Sequence, residues 1–162
     1  MRVFQQPQLN RFQQVETWQL ALSDESGRAT LYVPRINSGE ATLGHSAYAD
    51  VSEVEVQVVR GDEAIGDANP KLIKIDVEGF EARVIAGLDK TLTRARPLVL
   101  IEMIDDHLRA AGSSSKELAL MMEARGYVGH TLGMSRRGLG YRLSLESWSA
   151  ESSSEDVLWT PT

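Results

Sequence analysis

Cysteine is absent from this chain of 162 residues. Disulfides and thiolate metal sites are therefore excluded, and a reducing compartment fits. A basic block is missing too. The formal net charge is -6, and an acidic chain repels phosphate backbones, so no nucleic acid partner is expected. The densest basic group, Arg136-Arg137 with Arg142, reads as a solvated turn. No run approaches the ~20 apolar residues of a membrane-spanning helix. The opening MRVFQQPQLNRFQQ lacks a signal peptide's apolar core. A soluble, cytoplasmic protein with no membrane partner is the expectation. His45, His107 and His130 lack metal-ligand spacing and read as surface or partly buried histidines. Trp18, Trp148 and Trp159 read as core or rim packing rather than a stacking platform. No internal repeat is present.

What is there suits a packed core. Hydrophobic residues make up 42 %, and the length fits one domain. The first stretch, 1–14, is glutamine-rich and poorly defined. A strand and hairpin region spans 15–60. Within it, Val15 to Leu22 and Arg28 to Val33 read as strands paired in a hairpin, with a turn at Ser23 to Gly27. Pro34 to Tyr48 reads as a loop. Val54, Val56 and Val58 alternate with polar residues, as in a half-exposed strand. Gly61 to Pro70 reads as a connection. Beyond a core unit at 71–103 comes an acidic loop, Asp105-Asp106-His107. The last part, 114–162, holds a helix capped within Ser113 to Ser115 and stopped by Gly126. Strands at Tyr127 to Thr131 and Leu139 to Leu145 follow. Then come an exposed serine-rich stretch, Ser147 to Ser154, and a last strand at Val157 to Trp159.

The core unit is the most informative stretch. It reads LIKIDVEGFEARVIAGLDKTLTRARPLVLIE from Leu72 to Glu102. A short apolar run ends in Asp76, Glu78 and Gly79. Phe80, Val84, Leu88 and Leu92 then recur at helical spacing, with Glu78 and Glu81 complementing the helix N-terminus. Pro97 ends the helix and opens a second apolar run, which closes in Glu102. This is a βαβ unit with parallel strands. In open parallel sheets, ligands sit at the carboxyl ends of the strands. Asp76, Glu78 and Glu102 are therefore the candidate site. Their plain alternative is helix capping for Asp76 and Glu78, and a solvated strand end for Glu102.

Ile73 to Glu81, then Val84, Ile85 and Gly87, then Arg96-Pro97 and Ile101-Glu102, resemble the FkbM family of S-adenosylmethionine-dependent methyltransferases. Ala21 to Asp24 with Gly27, Asn37 to Leu43, and Asp156 to Pro161 extend the resemblance over most of the chain. It implies an α/β class I methyltransferase sheet, Rossmann-like, with an antiparallel strand near its end. It implies methyl transfer from S-adenosyl-L-methionine to a hydroxyl of a small molecule or carbohydrate. On that resemblance Ala21, Leu22 and Ser23 lie near the adenine. Asp76 lies beside the methyl donor as base or orienting group, and Glu78 and Glu102 flank the acceptor.

The chain departs from the family in two respects. The glycine-rich turn that follows the first strand in family members is missing, as is the acid that grips the ribose. The expectation is a methyltransferase sheet without its first βαβ, and an exposed edge on the strand ending at Asp76. A fragment of a longer protein is the favoured explanation. The alternative is a reduced homologue that oligomerises through that edge. Weak or absent cofactor binding follows from either. Two rival functions remain open. The acids Asp76, Glu78, Glu102, Asp105 and Asp106 suit a divalent cation serving phosphoryl transfer or hydrolysis. A non-catalytic, partner-binding remnant is the other.

Overall fold

The computed structural model describes residues 14–44, 48–137, 140–149 and 156–162. They form two sheets joined by helices. The first sheet holds β1 (Ala21–Ser23), β2 (Gly27–Pro34) and β3 (Val51–Arg60), in the order β1-β3-β2. The expected strand at 15–22 forms only at its end, because residues 14–20 have no strand partner. The expected hairpin between the first two strands is not made. β3 lies between them, parallel to β1 and antiparallel to β2. Its length allows this: 51–58 of β3 pair with all eight residues of β2, and 58–60 pair with β1 on the other side. The polar loop that follows β2 contains a 3-10 turn at Ser38–Glu40 and a bridge from Thr42 to Tyr32. The stretch expected as a plain connection begins with α1 (Gly61–Ile65).

The second sheet runs β4-β5-β8-β6-β7. β4 (Leu72–Ile75) and β5 (Leu98–Glu102) are parallel, as the βαβ pattern requires. Between them the chain forms α2 (Glu81–Gly87) and α3 (Asp89–Ala95) rather than one helix. The break falls at Leu88, after a glycine pressed against β1. A Cβ on Gly87 would overlap the Ser23 carbonyl. The expected apolar stripe is real: Val84, Leu88 and Leu92 are buried. Arg96 takes a left-handed conformation before Pro97.

The acidic loop after β5 is instead α4 (Asp105–Ala110). Its helical start is helped by acids in the first turn, which favour the N-terminal end of the dipole. α5 (Ser115–Glu123) begins as expected, with the Ser114 hydroxyl accepting from the Glu117 N–H. Gly126, at φ 74°, turns the chain out of it. β6 (Tyr127–Arg137) and β7 (Gly140–Ser147) are longer than expected. β8 (Asp156–Pro161) enters between β5 and β6, antiparallel to both. The expected serine-rich exposed stretch and the glutamine-rich stretch 1–14 both lie partly outside the described residues. Helices α2, α3 and α5 cover the sheet, and Ile85, Ile101, Leu118, Met122, Tyr127 and Trp159 close the core beneath them.

Candidate active site

The loop from β4 to α2, Asp76-Val77-Glu78-Gly79, carries the site. Glu78 has φ 54° and Gly79 φ 102°, so two successive residues turn left-handed. For a residue with a Cβ that conformation costs about 1–2 kcal/mol. Three contacts hold it. Glu81, buried at 2 % exposure, accepts from the Val77 and Gly79 N–H groups, both at 3.2 Å. The Thr42 hydroxyl donates to the Glu78 carbonyl at 2.9 Å. His107 Nδ1 lies 2.9 Å from Glu78 Oε2. Glycine is obligatory at 79 for a second reason, since a Cβ there would overlap the His107 carbonyl oxygen. Hence α4 packs directly on this turn.

Each sequence-expected carboxylate has a place here. Asp76 and Glu102 follow from the tips of adjacent parallel strands. Glu78 reaches the same spot from the turn. One oxygen of each lies within 4.8 Å of the others. Asp105 and Asp106 do not belong to this group among the described residues. Asp105 is engaged elsewhere, accepting from Arg109 Nε at 2.5 Å and from the Ser115 N–H at 2.8 Å. The capping alternative fails for Asp76 and Glu78, because the α2 N-cap is Phe80 without a side-chain bond. Glu81 instead ties down the turn before the helix, through the Val77 and Gly79 N–H groups.

Electrostatics separate the three acids. Burial pushes the Glu78 carboxyl above its ordinary value, with Asp76 adding repulsion and His107 opposing it. Burial also raises Glu102, and the nearby Asp76 and Glu78 raise it further. Asp76 is the exposed member, with Lys74 Nζ 2.6 Å from its Oδ2. One lysine-paired carboxylate thus stands beside two that hold protons more readily. Carboxyls raised in this way cluster at functional sites and also occur in structural ion-pair networks.

The residues expected near the cofactor lie on β1. Leu22 lines an open groove of about 670 Å³ with Trp18, Leu20, Ile65 and Pro70. That lining is mostly apolar. Trp18 is 59 % exposed there, at a rim rather than in the core. Ala21 pairs with Val58, two residues before Arg60, the partner of Ser23. Ser23 is buried, its hydroxyl donates to Asp24 at 2.9 Å, and its carbonyl faces Gly87. Its side chain is therefore committed. The groove and the carboxylate cluster share no residue.

Thr42, Glu81 and His107 were not singled out as site residues from the sequence. Thr42 sits in a polar loop, 36 residues from its partner Glu78. His107 sits in a segment that read as a loop. Only the fold brings either to the turn. His130 bonds Thr160 through Nε2 at 3.0 Å, away from this site. His45 lies outside the described residues.

Acids gathered at the carboxyl ends of parallel strands make these strand tips the candidate ligand site of an α/β protein. A family model described as the methyltransferase FkbM domain matches residues 2–128. The chain belongs to the FkbM methyltransferase family. No curated protein and no solved structure matches it. No helix among the described residues is long and apolar enough to cross a membrane.

Proposed function

We propose that this chain is an S-adenosyl-L-methionine-dependent O-methyltransferase acting on a hydroxyl of a small molecule or sugar. The observation that carries the reading is the convergence of Asp76, Glu78 and Glu102 within 4.8 Å at the strand tips. The sheet adds support. β4 and β5 run parallel and β8 runs antiparallel beside β5, as in a class I, Rossmann-like methyltransferase sheet. A chain without cysteine suits the cytoplasm.

S-adenosylmethionine, when bound, supplies an electrophilic methyl on a sulfonium that needs no acid to leave. Ala21 and Leu22 would hold its adenine, and Asp76 would lie beside the donor. Asp76 takes the proton of the acceptor hydroxyl or orients that hydroxyl. Glu78 and Glu102 flank the acceptor and position its hydroxyl. Pre-alignment of the acceptor by three groups supplies several kcal/mol of the barrier. The test is methyl transfer from a labelled donor to a panel of hydroxylated acceptors. Asp76→Asn should lower kcat by about 100-fold or more. Full kcat in that variant would remove Asp76 from the chemistry.

A second reading rests on the same spacing. Three carboxylate oxygens within 4.8 Å also suit a divalent cation serving phosphoryl transfer or hydrolysis. Calorimetry with magnesium alone, followed by a phosphatase assay, separates the readings. Magnesium-dependent phosphate release would favour the second.

A further inference from the structure

β6 and β7 extend past the rest of the sheet. β8 pairs with β6 only from Tyr127 to Thr131, whereas β7 pairs with β6 out to Arg137. Residues beyond Thr131 thus form a two-stranded arm. Its registry places Leu132 opposite Leu145 and Met134 opposite Leu143. Opposed residues of an antiparallel pair share a face, so these four make one apolar face. They are 42 %, 53 %, 68 % and 71 % exposed respectively. The other face carries Gly133, Ser144, Ser135, Arg142, Thr131 and Glu146 and is polar. β7 is also the last strand of its sheet, with its outer edge unpaired among the described residues. Proteins usually blunt a long edge of this kind by charge, proline or cover. Here the edge strand alternates leucine with polar residues.

We propose that the β7 edge is a self-association surface and that its occupant is β7 of a second copy of this chain, paired antiparallel about Ser144. The charge pattern selects this occupant and this register. With Ser144 opposite itself, Arg142 of each copy faces Glu146 of the other on the polar side. Leu143 faces Leu145 on the apolar side. Shifts that set Arg142 opposite Arg142, or Glu146 opposite Glu146, place like charges together and are disfavoured. Within one chain Arg142 faces Ser135 and Glu146 faces Thr131, so neither acid nor base has its opposite charge across the hairpin. The paired edge gives a closed two-fold dimer with one continuous sheet. The inference uses no residue of the carboxylate site and stands apart from the proposed reaction.

Light scattering or sedimentation equilibrium of the whole chain should show a dimer. R142E and E146R should each raise the dimer Kd by about tenfold or more, since each turns both symmetry-related charge pairs into like-charge contacts, and the double swap should restore it. Neither substitution touches the core, and circular dichroism should show an unchanged fold. The native chain has no cysteine, which makes Ser144→Cys diagnostic. Opposed Cα atoms in an antiparallel pair lie about 4.5–5.5 Å apart, inside disulfide range. Mild oxidation should therefore cross-link Ser144→Cys, while Ser135→Cys, on the inner strand, should stay monomeric on a non-reducing gel. A monomer at every concentration overturns the proposal. So does a dimer that Ser144→Cys cannot cross-link or that ignores the charge swaps.

Discussion

Glu78 concentrates the argument at the scale of single residues. Its left-handed backbone, its partner His107 and its raised pKa all follow from placing a carboxylate where chain and solvent would not leave it. The sign of the pH effect is fixed. A carboxyl raised in the folded state keeps its stabilising proton below the unfolded value and loses it as pH rises through the folded value. Glu78 and Glu102 thus favour the fold at about pH 4 relative to pH 7. Glu102→Gln should raise stability at pH 7 by no more than about 1 kcal/mol after solvent screening. The gain should vanish near pH 4, as thermal melts across pH would show. The same variant should lose methyl transfer. A Glu102→Gln protein that is less stable at pH 7 would contradict the crowding of acids. Gly79→Ala is the opposite case. Left-handed strain and overlap with the His107 carbonyl should together cost about 3 kcal/mol, read by denaturant titration.

At the scale of elements, the decisive contact is α2 on β1. Gly87 has no Cβ because the Ser23 carbonyl occupies that space, and Gly61 closes the other side. This contact joins the two sheets. Gly87→Ala cannot be absorbed by a rotamer change, since backbone meets backbone. It should destabilise by about 3 kcal/mol or more, and near-ultraviolet circular dichroism should register the loosened packing. Ser114→Ala removes one N-cap bond of α5 and should cost only about 1 kcal/mol. The contrast between these variants in one melt series checks the assignment. His107 and Thr42 belong to this scale too, because α4 and the loop after β2 must dock before either reaches Glu78.

For the molecule as a whole, both ends of the larger sheet are open among the described residues. β4 has β5 on one side only, and Leu72 is 57 % exposed. The expected open edge at β4 is therefore present. Donor binding should be weak for the same reason that the family's glycine turn matters: only glycine lets backbone approach a ligand closely. Calorimetry with S-adenosylmethionine should give a Kd well above about 1 μM, equivalent to less than about 8 kcal/mol of binding. Tighter binding would mean that the described groove and strand tips suffice. The β7 edge proposal is independent of that result.

The sequence by itself determined the βαβ core, from its apolar spacing, Gly79 and Pro97, and it located Asp76 and Glu102 at strand ends and Glu78 in the turn beside them. It also determined the α5 cap and stop, since capping depends on residues three or four apart. These features are local, and local chemistry is printed in order along the chain. Tertiary structure alone decided that β3 would lie between β1 and β2, that α2 would break at Gly87, and that Thr42 and His107 would hold Glu78. Each of those outcomes depends on surfaces that meet only after folding. Strand partnership is set by total buried area and register, and neither quantity can be read from a strand considered alone.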